Sequence, residues 1–408
     1  MTIEFITIGS ELLAGLTLNT NTFYVGEKLA DVGLSLDRQI AIPDDHDVIV
    51  STIQESLARA DWIIVSGGLG PTNDDITKKA LARVFNRQLV FHDDILAMLK
   101  ERYARSGRPI NPHLETQAVQ PSGADFIPND VGTAVGIVLQ EGGRTLVAVP
   151  GVPREMRPMI AKYIVPKIAE AARVQSKSLM WSTTGWPESR LYDALQQLIA
   201  DNPQVTVAFL PSELGVRLRF SASGPDRAHT LAHFADAARP RIADALYAER
   251  DLGLEEVVAD LLVASKRTVA VAESCTGGLI AKRLTDVPGS SAYMLAGFVT
   301  YSNEAKIRDL GVPASLIDAH GAVSEPVARA MAQGAIARTG ADIAIAVTGI
   351  AGPGGGTAEK PVGLVWMALS RKNGNTDSRE LRLMGDRELI RVRASQAALA
   401  MMLAASRT

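Results

Sequence analysis

Trp62-Ile63-Ile64-Val65-Ser66-Gly67-Gly68-Leu69-Gly70 passes without interruption from bulky, β-prone residues into glycines. Such a run reads as a short buried strand that opens into a loop whose backbone can approach a ligand closely. Working outward, residues 3–8 (IEFITI) repeat the pattern and open into Gly9-Ser10-Glu11, and helix-like stretches at 20–33 and 46–60 lie between the two runs. Strands alternating with helices predict a parallel sheet, with ligands at the carboxyl ends of its strands. A third run, Thr145 to Pro150, leads into Gly151-Val152-Pro153-Arg154-Glu155, where Pro153 suits the first turn of a helix. These elements predict an α/β domain over residues 1–172.

Beyond a polar stretch at 173–178, residues 179–248 read as a small α+β module. Its expected elements are a strand at 180–184, a helix at 188–199, strands at 205–210 and 216–221, and a helix at 226–247. The order loosely resembles a K-homology (KH) module. Yet it contains no GxxG, and it carries six Arg and no Lys against seven acidic residues, so no direct nucleic-acid contact is expected. A spacer or dimerisation role is the preferred reading. Residues 252–408 again alternate strands and helices, with strands expected at 268–272, 296–301, 343–348 and 362–370. The fold class is therefore α/β: two three-layer α/β domains flanking a small α+β KH-like module.

The 408 residues are 47% hydrophobic and 21% charged, with a mean hydropathy of +0.09, which excludes bulk disorder. A net charge of -3 shows none of the basic excess common in nucleic-acid binders. The single cysteine, Cys275, excludes an intramolecular disulfide and a cysteine-based zinc site. The amino-terminal residues lack a basic region followed by an apolar one, and no stretch reaches the roughly 20 apolar residues of a membrane span. A cytoplasmic location and no membrane partner are the expectations.

Three constellations carry candidate chemistry. In Val269-Ala270-Val271-Ala272-Glu273-Ser274-Cys275-Thr276-Gly277-Gly278, a strand delivers Ser274 to the sheet edge before a helix that begins near Leu279. The turn amides of Thr276, Gly277 and Gly278 face either of two roles: stabilising an oxyanion beside a serine nucleophile, or serving a helix cap made by Ser274 and Thr276. A nucleophilic serine needs a base. The candidates are His320 and Lys306, a lysine becoming useful once burial lowers its pKa. The second constellation is Thr348-Gly349-Ile350-Ala351-Gly352-Pro353-Gly354-Gly355-Gly356. It is read either as an anion-binding loop or as a merely flexible one, and no Walker pattern accompanies it. The third is the glycine run Gly67, Gly68 and Gly70 followed by Thr72, Asp74 and Asp75. Its paired carboxylates would either hold a hard cation or cap the helix expected at 76–85.

Together these motifs resemble the CinA family. IGSELLAG, SGGLGPTNDDIT, IPNDVGTAVG and VPGVPREM are similar to its molybdopterin-binding-like module. AESCTGG, TYSNEAKIRDLGV, GAVSEP and VTGIAGPGGGTAEKPVGLV are similar to its nicotinamide-nucleotide amidase domain. The resemblance implies hydrolysis of nicotinamide mononucleotide to nicotinate mononucleotide and ammonia. Ser274 would be the nucleophile and Lys306 its base, with Tyr301 beside them and no cofactor needed. It implies substrate contacts at Thr276, Gly277, Gly278, Thr348, Gly349, Gly352, Gly354 and Gly355. For the first domain it implies ADP-ribose hydrolysis at Gly9, Ser10, Glu11, Gly67, Gly68, Gly70 and Thr72. There a divalent cation (Mg, Mn or Co) would sit on Asp74 and Asp75, with K as a further requirement. Small-molecule nucleotides are the implied partners and a homodimer the implied assembly. The rival reading is a nucleotide- or pterin-binding regulatory protein without turnover.

Overall fold

The structure is a computed structural model that describes residues 1–70, 75–106, 114–173 and 176–407. The chain divides into two compact units, Met1–Ser178 with Ser223–Arg227 and Leu179–Ala222 with Ala228–Thr408.

In the first unit, β1 (Ile3–Ile8), β2 (Arg38–Ile42) and β3 (Trp62–Ser66) are joined by helices Thr20–Asp31 and His46–Arg59. Both helices are capped by short polar side chains. Asn19 accepts from the Thr22 amide, and Asp45 accepts from the amides of Asp47 and Val48. Val25 and Leu29, one turn apart, pack on one sheet face with Phe5 and Ile64; Ile49 and Ile53 do the same on the other with Ile6 and Ile63. The sheet is thereby buried on both faces, which is why its strands are continuously apolar rather than alternating. Emptying one such position, as in Ile53→Ala, costs about 2–5 kcal/mol.

β4 (Leu89–Phe91) and β5 (Val119–Pro121) form a separate ribbon. β6 (Asp125–Ile127), β7 (Gly136–Glu141) and β8 (Arg144–Val149) complete the main sheet in the order β2-β1-β3-β8-β7-β6. The expectation of a parallel sheet needs correction. β2, β1, β3 and β8 are parallel, but β7 runs antiparallel to β8, and β6 antiparallel to β7. The cause is the Gly142-Gly143 turn, with φ of 57° and 79°, which folds β7 and β8 into a hairpin that needs no helical crossover. Chain order reverses between β1 and β3, so their carboxyl ends form the switch point where ligands collect.

In the second unit, β9 (Ser176–Thr183), β10 (Val205–Ser212), β11 (Gly215–Ser223) and β12 (Leu246–Ala248) form a sheet ordered β10-β11-β9-β12. Helices Glu188–Asp201 and Arg227–Ala238 pack on it through Leu191, Leu195, Leu231 and Phe234. The helix expected at 226–247 stops at Ala238. Pro240 brings no amide donor to the next turn, the chain passes through a 3-10 turn at Arg239–Arg241, and β12 then pairs with β9.

The last sheet contains β13 (Val269–Glu273), β14 (Met294–Val299), β15 (Ile343–Gly349), β16 (Leu364–Arg371) and β17 (Thr376–Arg382), ordered β14-β13-β15-β16-β17. β13 is parallel to both neighbours, and β16 and β17 are antiparallel additions. β17 was not expected from the sequence. Its Asp377, Arg379, Glu380 and Arg382 are the charges of an exposed edge strand. Helices Leu254–Ser265 and Arg387–Arg407 cover one face, and the alanine-rich Glu325–Thr339 helix covers the other. Here too the chain reverses order, between β13 and β15, and Ser274 follows β13 at that point. No helix among the described residues is long and apolar enough to cross a membrane.

Candidate active site

Register fixes the nucleophile candidate. Glu273 pairs with Val347, and the Ser274 amide donates to the Val347 carbonyl at 2.9 Å, so the serine leaves the strand held by its neighbour. The helix Asn303–Leu310, N-capped by the Ser302 hydroxyl, brings Lys306 beneath it. Lys306 is 1% exposed, and its Nζ lies 3.1 Å from Ser274 Oγ, 2.8 Å from the Thr300 carbonyl and 3.3 Å from the Tyr301 carbonyl. A neutral amine has two N–H groups and one lone pair. Two carbonyls accept the two N–H groups, and the lone pair is left for the serine hydroxyl proton. Burial holds the Lys306 ammonium below the ordinary lysine pKa, favouring that neutral form.

His320, the other candidate base, ends the Ala314–His320 helix in an exposed position, and its carbonyl accepts from Lys360 Nζ at 2.6 Å. Cys275 is packed into the core, and burial pushes its thiol pKa up to about 11. It is a neutral packing group beside the serine.

The turn amides are allotted differently from the sequence expectation. Glu273 is 1% exposed, and its carboxylate accepts from the amides of Gly278 (3.0 Å), Ile280 (3.1 Å) and Ala281 (2.9 Å). The Gly277 amide donates to the Ser274 carbonyl at 3.1 Å. The helix cap is thus made by Glu273, not by Ser274 or Thr276, and Gly277 and Gly278 have no free amide for an oxyanion. Within the turn 274–278, the amides that bond to no other described residue are those of Cys275 and Thr276. The buried hydroxyls of Thr276 and Thr300 also lack partners.

Thr348 is likewise committed: its hydroxyl donates to the Ala322 carbonyl at 2.9 Å. Gly349 is a packing requirement, since a Cβ there would meet the Leu364 carbonyl at 2.8 Å and Cys275 Sγ at 3.1 Å. The Gly352 carbonyl accepts from Arg387, while Gly354 and Gly355 remain exposed in open loop. Tyr301 is exposed, and its hydroxyl accepts from Arg387 Nη2 at 2.9 Å. Arg391 donates to the Thr276 carbonyl at 2.8 Å.

Sequence reasoning missed Arg387 and Arg391. Arg387 lies 86 residues from Tyr301 and Arg391 lies 115 from Thr276, and their signal was two arginines in the opening turns of a helix, where the dipole disfavours cations.

In the first unit, a Cβ on Gly67 would lie 2.3 Å from the Ile8 carbonyl, and one on Gly68 would lie 2.2 Å from Thr77 Oγ1. These glycines, with φ of 121° and 66°, let the β1 and β3 loops close on one another. The Ser10 amide and hydroxyl are both engaged with Asp44, and Glu11 is folded against Gly9. Asp75 accepts from the Gly70 amide at 2.6 Å, while Thr72 and Asp74 lie outside the described residues. No three His, Cys, Asp or Glu side chains among the described residues assemble a metal site, and Asp74, one of the two expected ligands, lies outside those residues. Two further groups went unnoticed in the sequence. Lys78 is buried, with its pKa lowered to about 8 by burial, and donates to the Thr116 carbonyl. Asn21 bridges Ser66 and Gly151, and its buried Oδ1 has no partner.

Fold and site together define an α/β protein of three modules that pairs a serine with a buried lysine in its last sheet. Residues 4–170 match the family described as "Probable molybdopterin binding domain", residues 178–248 the "Damage-inducible protein CinA KH domain", and residues 251–405 the "CinA C-terminal domain". A CinA-like protein of Chloroherpeton thalassium is 43% identical over 412 residues, 98% of each chain, and the present chain belongs to the CinA family. A CinA-like protein of Geotalea uraniireducens is 42% identical over 398 residues, covering 96% of this chain and 94% of its own. The crystal structure of competence/damage inducible protein CihA from Agrobacterium tumefaciens is 47% identical. It covers 38% of this chain and 98% of its own, at a TM-score of 0.37.

Proposed function

We propose that the last domain is an amidase that hydrolyses the carboxamide of nicotinamide mononucleotide. The observation that carries this reading is the buried amine of Lys306, 3.1 Å from Ser274 Oγ with its other two directions taken by carbonyls. Lys306 accepts the Ser274 proton as Oγ attacks the carboxamide carbon. The oxyanion formed meets the amides of Cys275 and Thr276, which replace the Gly277 and Gly278 donors expected from the sequence. Lys306 returns the proton to the departing nitrogen, ammonia leaves, and the acyl-serine remains. Water then gives its proton to Lys306 and attacks the ester, releasing nicotinate mononucleotide and restoring the serine. Arg387, Arg391 and the open Gly354-Gly355 backbone supply positive potential for the nucleotide phosphate. Incubation with nicotinamide mononucleotide should release ammonia, and Ser274→Ala should abolish the release. No release by the wild type, or undiminished release by Ser274→Ala, rejects the reading.

The first domain is proposed to hydrolyse ADP-ribose at the β1/β3 switch point, supported by two glycine loops closing over one sheet edge. A divalent cation, with K as a further requirement, is part of that proposal through the family resemblance. The measurement is ADP-ribose hydrolysis with and without chelator in Asp74→Ala/Asp75→Ala; hydrolysis indifferent to both rejects the metal-dependent form.

A further inference from the structure

A cavity of about 570 Å³ opens in the first unit beside the loop at 129–134, and the steps above make no use of it. Arg102, Tyr103, Thr133, Val152, Arg154 and Glu155 are among its lining residues. Its wall is fixed from within. Asn129 is 5% exposed; its Oδ1 accepts from the amides of Val131 (3.0 Å) and Gly132 (2.7 Å), and its Nδ2 donates to the Ala134 carbonyl and to Glu155 Oε2. Arg102 Nη1 donates to the carbonyls of Asn129 and Gly132. A Cβ on Gly132 would fall 1.8 Å from the Glu155 carboxylate, so glycine is needed for the loop to close on it. The cavity is therefore preformed, and its volume is that of a small-ligand site.

The charges lining it are unbalanced. Arg154 is exposed and makes no hydrogen bond or ion pair with any described residue, and Arg102 has Nε and Nη2 to spare. Glu155, the one carboxylate in the lining, already has an oxygen taken by Asn129. As a strut, Arg102 explains itself; Arg154 does no structural work. Two guanidinium groups with free N–H donors match the oxygens of a phosphate. Position agrees with this. Val152 follows Gly151, where a Cβ would lie 3.3 Å from Gly67 Cα, so the cavity adjoins the glycine loop at the switch point.

We propose that this cavity is a phosphate subsite for a nucleotide lying across the edge of the first sheet, with Arg102 and Arg154 gripping the phosphate. The choice of nucleotide rests on the reading of that edge as an ADP-ribose site. The test is calorimetric titration of the full chain with AMP, ADP-ribose and inorganic phosphate in the presence of a chelator, for wild type, Arg154→Gln and Arg102→Lys. Arg154→Gln should raise the Kd for AMP by about tenfold or more, with phosphate competing against AMP and adenosine binding unchanged. Arg102→Lys, which keeps the charge but loses the fork, should weaken AMP to a smaller degree. Equal AMP affinity in wild type and both variants overturns the proposal, as does an absence of binding by all three probes. ADP-ribose hydrolysis is scored separately. No hydrolysis together with weakened AMP binding in Arg154→Gln rejects the pyrophosphatase and supports the subsite. Hydrolysis with unchanged AMP affinity does the reverse.

Discussion

Replacing Lys306 by methionine keeps the unbranched stem in its buried slot and removes only the amine. Two consequences can be sized. General-base assistance contributes about 10²- to 10⁴-fold, so kcat for ammonia release should fall by roughly three orders of magnitude, about 4 kcal/mol, with KM little changed. Stability moves by opposing amounts. The carbonyls of Thr300 and Tyr301 lose their donor, costing about 1–3 kcal/mol for each group left unsatisfied, while the penalty of burying an ionisable amine disappears. The sign of the pH dependence separates the two. Lys306 has a lower pKa folded than unfolded, so between those values the unfolded chain binds more protons. Wild-type stability therefore rises as pH climbs from the folded pKa toward about 10.4, and Lys306→Met should flatten that rise. In steady-state assays the wild-type kcat/KM should climb with pH as Lys306 loses its proton, then level off. Lys306→Arg, permanently charged, should be as inactive as Lys306→Met. A Lys306→Met enzyme that keeps more than a tenth of wild-type kcat, or an unaltered pH profile, refutes the assignment of the base.

Glu273→Gln should leave KM nearly unchanged while lowering kcat and costing about 1–3 kcal/mol in urea denaturation, because charge-assisted caps to three amides become neutral or are lost; wild-type kcat would show that the capped turn does not position Ser274. Cys275→Ala should retain most amidase activity, since the thiol is buried and neutral, and near-complete loss with folding intact would reopen the choice of nucleophile.

What the sequence disclosed was local and periodic. The apolar runs of β1, β3, β13 and β15 are each followed by glycine or small residues, and this was enough to place candidate sites at the carboxyl ends of those strands, while the switch points needed the strand order. Ser274 and Lys306 were legible as candidates, Ser274 against a capping role and Lys306 against His320, and the family resemblance chose between the alternatives. What escaped depends on contacts distant in sequence. The use of the Gly278 amide by Glu273 could not be read, because a carboxylate beside a glycine turn looks the same whether it faces solvent or folds under the helix. Thr348 looked like a ligand-facing group until its hydroxyl was found on the Ala322 carbonyl. The hairpin at Gly142-Gly143 has a local signal in its two adjacent glycines, but the reading rested on the alternation of strands and helices before it. β17 escaped for a different reason, since an edge strand is written in charges and resembles a solvated turn.

The Arg391 clamp has a consequence in time. Arg391 follows Thr276 by 115 residues, and at 5–20 residues per second a ribosome needs on the order of ten seconds to supply it. For the last 85 of those 115 residues the strand, the serine turn and Lys306 all exist without the residue that fastens the turn's carbonyl. The nucleophile is therefore written early and locked late, and a nascent chain that has already built most of its sheet is still waiting for its reactive turn to be secured.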